Sequence, residues 1–120
     1  MARVLALGLD PASVDPKEFS GFSPQQVRAF IESQLDRVRA AGYEVVSCYV
    51  DLGETAEAVT ARALKAQGFD CVMIGAGLRA EAQLILFEKL INLVSAQAPG
   101  ARLCFNSSPG DTLEAVRRWV

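Results

Sequence analysis

Six residues in the second half of the chain, Gly75-Ala76-Gly77-Leu78-Arg79-Ala80, have the makings of a phosphate cradle. Two glycines one residue apart permit a tight turn and let backbone N–H groups approach an anion closely. The helix expected to follow adds the positive end of its dipole. Arg79 is the cation of this cluster, and its guanidinium fork suits a phosphate or a carboxylate. A second polar cluster, Asn106-Ser107-Ser108, offers an amide and two hydroxyls ahead of another expected helix, again a setting that favours anions. Two carboxylates, Asp10 and Asp51, close the first two apolar runs, where a pair could hold Mg²⁺ or orient a ribose. With Ser13, from the connection after Asp10, the candidate ligand-binding residues are Asp10, Ser13, Asp51, Gly75, Gly77, Arg79, Asn106, Ser107 and Ser108.

Catalytic chemistry is harder to assign. The chain has no histidine, the side chain best suited to proton transfer near neutral pH. Ser–His and Cys–His nucleophile pairs and histidine-ligated zinc are thereby excluded. Ser107 has no base that can be named beside it, so it is not read as a nucleophile. Cys48, Cys71 and Cys104 lie in apolar runs and form no CxxC pair, which fits reduced, buried small hydrophobes. No catalytic residue, metal site or cofactor is assigned.

The elements that position these clusters repeat one beat, an apolar strand, a small or polar turn, then a helix. Strands are expected at 3–8, 43–50, 70–74 and 102–105. Helices are expected at 23–42, 54–67, 80–98 and 112–120. Ser23, Pro24 and Gln26 carry the signature of a capped helix start, with Phe22 and Val27 at staple spacing. Val27, Phe30, Ile31, Val38 and Ala41 are the expected buried stripe of that first helix, and Trp119 an expected packing anchor. The connection from Asp10 to Phe22 exceeds the usual length of about 4–6 residues, which marks a lid, a binding loop or a partner surface.

Strands alternating with helices imply a parallel sheet. The expected fold is a three-layer α/β/α sandwich over residues 1–120, one domain, with four strands in the order 2-1-3-4 joined by right-handed crossovers. All four turn clusters then fall at the carboxyl edge of the sheet, where ligands of such folds bind. The crevice would open between the first and third strands, walled by the 8–22 and 75–79 loops.

Residues 75–80 resemble the Rossmann dinucleotide fingerprint G-x-G-x-x-G/A over these six positions, which implies NAD(P) or FAD at this loop. The acidic partner that this fingerprint carries at the end of the next strand is missing, since that strand ends at Asn106-Ser107. The topology is similar to the broad Rossmann-like and flavodoxin-like group, which hosts many functions and alone assigns none.

With 51% apolar and 22% charged residues and a net charge of −2, the chain has ordinary globular composition and no basic face for nucleic acid. No apolar run reaches the ~20 residues that span a bilayer. A soluble, cytoplasmic protein is expected. The third helix carries apolar residues around about half its circumference, more than one sheet contact needs, so a homodimer through residues 84–94 is expected. The leading functional expectation is a domain that binds a small anionic ligand, a nucleotide or phosphorylated metabolite, at the carboxyl edge of the sheet. The alternatives are a homo-oligomeric interaction module without a ligand and a small nucleotide-cofactor-dependent enzyme.

Overall fold

A computed structural model describes residues 1–120. Strands β1 (Arg3–Leu9), β2 (Glu44–Val50), β3 (Cys71–Ile74) and β4 (Arg102–Phe105) form one parallel sheet in the order β2-β1-β3-β4. Helices α1 (Pro24–Ala40) and α4 (Thr112–Arg117) cover one face, and α2 (Ala56–Ala66) and α3 (Leu84–Gln97) cover the other. This is the expected sandwich.

The central strand explains the arrangement. Val4, Leu5, Ala6 and Leu7 are all buried, as a strand covered on both faces requires. Leu5 and Leu7 join Val50, Val72 and Ile74 under α2 and α3. Val4 and Ala6 join Cys71, Met73 and Cys104 under α1 and α4. On that second face the Cys71 and Cys104 sulfurs lie 3.3 Å apart, and all three cysteines are buried free thiols.

The start of α1 follows its sequence signature. Ser23 Oγ accepts from Gln26 N at 3.1 Å, and Gln26 Oε1 accepts from Ser23 N at 2.8 Å. Just past the end of the helix, Gly42 has a φ of 104°, left-handed backbone that favours glycine. Its buried face differs from the expected stripe. Leu35 and Val38 are buried, while Phe30 is 50% exposed, because it stands a quarter turn from the line through Val27, Ile31 and Leu35.

Two further boundaries differ. Two 3₁₀ turns, Ala76–Arg79 and Glu81–Gln83, occupy the expected first turn of α3, so the helix begins at Leu84. Extended backbone at Ala80 separates them. The last helix stops at Arg117; Leu113 and Val116 fill the core, and Trp119 lies past the final turn, 53% exposed. Phe22 is also mostly exposed. On the free side of β2, Arg39 Nη2 donates to the Val45 carbonyl at 3.1 Å. No helix is long and apolar enough to cross a membrane.

The 10–22 connection is built, not slack. Two 3₁₀ turns, Pro11–Ser13 and Pro16–Phe19, each open on an aspartate with proline next. Asp10 accepts from Ala12 N at 2.9 Å, and Asp15 accepts from Lys17 N at 3.0 Å. Left-handed residues Ser20 and Gly21 then turn the chain toward α1.

Candidate functional site

A cavity of about 510 Å³ opens at the carboxyl edge of the sheet. Its floor is Ala6 and Leu7 of β1 and Met73 of β3, and α1 contributes Val27, Ile31 and Leu35. The 10–22 connection roofs it with Pro11, Ser13, Val14 and Phe19, and brings Asp15 and Glu18 to its wall. The opposite wall is the glycine loop with Ala80, Ala82 and Gln83, and Asn106, Pro109 and Thr112 close the far end. The size lies within the range of small-molecule pockets, and so does the predominance of apolar side chains.

The sequence-derived residues divide into two groups. Ser13, Gly75, Gly77 and Asn106 border the cavity. The others are engaged elsewhere. Asp10 caps its own turn and stands 3.8 Å from Arg28. Asp51 binds Thr55 Oγ1 at 2.6 Å and the Gly53 and Thr55 amides, and these hydrogen bonds hold its carboxyl below the usual range. Ser107 and Ser108 serve Asp111, which accepts from both of their amides and from the Ser107 hydroxyl. That hydroxyl is the main reason why the Asp111 carboxyl is held low.

Arg79 does not reach the cavity wall. Its guanidinium donates to the carbonyls of Ile74, at 2.7 Å, and Asn106, and lies 5.4 Å from the centre of the Phe105 ring. It ties the end of β3 to the end of β4. Asn106 is the companion knot. Its Oδ1 accepts from Ala76 N at 2.9 Å, and its Nδ2 donates to Thr112 Oγ1 at 3.0 Å. Glycine loop, fourth strand and last helix are joined through this one buried side chain.

The glycine loop itself forms turns that use most of its amides. Gly75 N donates to Leu7 O, Leu78 N to Gly75 O and Ala80 N to Gly77 O. A Cβ on Gly75 would meet Leu7 O at 3.5 Å, and one on Gly77 would meet Leu9 Cδ1 at 3.4 Å. Both distances are tolerable, and neither glycine has a positive φ.

No known family model matches this sequence, and no curated protein is detectably similar to it.

Sequence reasoning missed a polar cluster beside the cavity. Tyr49, near the end of β2, lines the wall and donates its hydroxyl to Glu32 of α1. Ser47 donates to the same carboxylate at 2.9 Å. The Arg28 guanidinium lies 4.0 Å from the centre of the Tyr49 ring. Burial and the Glu32 carboxylate push the Tyr49 phenol well above its ordinary value. A signal existed: Ser47 and Tyr49 are two apart, so they share one face of their strand. The acids on the wall, Asp15 and Glu18, were likewise visible only as loop residues.

Proposed function

We propose that this chain is a binding domain for a small organic molecule, held in the cavity at the carboxyl edge of the sheet. The observation that carries the reading is the convergence of two strand ends, the 10–22 connection and the glycine loop around one largely apolar space of about 510 Å³. The glycines support it. Neither backbone conformation nor clearance demands glycine at 75 or 77, and both border the cavity, where small residues keep space open. A cytoplasmic setting goes with this reading, supported by three buried free thiols.

The test plugs the mouth. Ala82 is exposed on the cavity rim, so Ala82→Trp fills the entrance without entering the core. Native mass spectrometry of wild type and variant, and a thermal-shift screen of small molecules on both, are compared. The expected result is an adduct or a stabilising compound with wild type that the variant loses, with Gly77→Val weakening it as well. If nothing binds wild type, or both variants bind as wild type does, the reading fails.

A homodimer is the second reading, favoured by one observation. Leu84 and Ile85, at the start of α3, are 57% and 64% exposed. They extend the apolar surface of α3 beyond what α2 and the sheet cover.

A further inference from the structure

The cavity wall has a sign. Its ionised side chains are Asp15 and Glu18, and neither lysine nor arginine lines it. Of the neighbouring bases, Arg79 is bound to two backbone carbonyls, Arg28 lies over Tyr49 near Asp10, and Lys17 stands on the roof loop between the two acids without lining the cavity. Most of the backbone routes to an anion are taken too. The amides of Gly75, Ala76, Leu78 and Ala80 each donate within the chain. At the start of α1 the capping box takes the Ser23 and Gln26 amides. An anion entering here would lose water, meet no cation, and face two carboxylates. Against this, Val14, Phe19, Val27, Ile31, Leu35 and Met73 offer apolar surface, and Ser13 and Gln83 add uncharged hydrogen-bonding groups.

We infer that the ligand is a neutral, largely apolar small molecule, and that the acidic roof loop discriminates against anions. This rests on the cavity reading above, deepens it, and replaces the anionic ligand expected from the sequence. Apolar area buried supplies the affinity, and the carboxylates at the wall supply the selectivity.

A matched pair of fluorescent probes tests it. N-phenyl-1-naphthylamine is neutral, and 1-anilinonaphthalene-8-sulfonate is the same skeleton with an anionic group. Each is titrated into the full chain at neutral pH and low ionic strength. The neutral probe is expected to saturate at one per chain and to bind at least about tenfold more tightly than the sulfonate, a difference of about 1.4 kcal/mol. Asp15→Asn with Glu18→Gln, both on the exposed loop, should narrow that gap, and Ala82→Trp should abolish both signals. If the sulfonate binds as tightly or more tightly and Ala82→Trp still abolishes it, the ligand class is wrong and the cavity reading stands. If Ala82→Trp changes nothing, or neither probe saturates, the cavity reading falls and this inference with it.

Discussion

Asn106→Ala should be the most informative single substitution in the molecule. Asn106 is 4% exposed and makes two side-chain hydrogen bonds, from Ala76 N at 2.9 Å and to Thr112 Oγ1 at 3.0 Å. Truncation orphans the Ala76 amide. An unsatisfied buried donor costs about 1–3 kcal/mol, and the half-buried position of Ala76 puts this one at the lower end. The bond to Thr112 is an ordinary neutral one worth about 1 kcal/mol, and Thr112 keeps its own bond to Pro109 O at 2.8 Å. No sealed void is left, because Asn106 borders the open cavity. The expected loss is about 2–3 kcal/mol. At about 4 °C per kcal/mol for a chain of this size, Tm should fall by about 8–12 °C. Urea unfolding followed by circular dichroism measures this, with an unchanged m-value if the unfolded state is unaffected. The cycle with Thr112→Val should give a coupling of about 1 kcal/mol. Asn106→Asp keeps an acceptor for Ala76 N, so part of its effect must come from the lost donor. A loss below about 0.5 kcal/mol for Asn106→Ala, or zero coupling to Thr112, would refute the claim that this side chain joins the two loops to the last helix.

Two further predictions concern other surfaces. The Tyr49 phenol has a raised pKa, so the native state keeps a proton that the unfolded chain releases. Its contribution to stability is full below the ordinary phenol value of about 10 and is lost as pH climbs above it. An ultraviolet titration should show one of the two tyrosines ionising only with unfolding, and Tyr49→Phe should remove that late step and flatten the alkaline decline. An unchanged titration in Tyr49→Phe would mean that the late phenol is not Tyr49. On α3, Leu84→Glu with Ile85→Glu should convert a dimer to a monomer by light scattering at unchanged Tm. Leu86→Glu should instead unfold the protein, since Leu86 is 7% exposed and belongs to the core. A monomeric wild type, or a double variant that keeps its mass, removes α3 as the interface.

The sheet was legible because its strands are buried on both faces. Val4 to Leu7 and Cys71 to Ile74 are continuous apolar runs, and the turns after them mark the carboxyl edge. The place of the cavity was legible, but not the contacts around it. Gly75 and Gly77 stand at the cavity as the loop reading requires, yet a glycine pattern says nothing about where the amides point. Here the turns, the first strand and Asn106 take four of them. Arg79 has the same composition whether it faces a ligand or a carbonyl. Two strand ends brought within reach of it decide the matter, and that proximity is tertiary. Phe30 and Trp119 depart from expectation for a related reason: apolar type alone does not set burial, and here helix phase and helix length decide exposure.

The Arg39 side chain on the free side of β2 has a consequence for association. A sheet edge exposes unpaired carbonyls and amides that can template another strand, the usual start of uncontrolled aggregation. Here the Val45 carbonyl on that side already has a charged donor. A strand arriving there would have to displace the guanidinium from that carbonyl, against its anchoring by Asp36 at 2.8 Å. The other edge, β4, is only four residues long and begins with Arg102. The capped carbonyl on β2 and the shortness of β4 both reduce the free edge that a growing sheet could use.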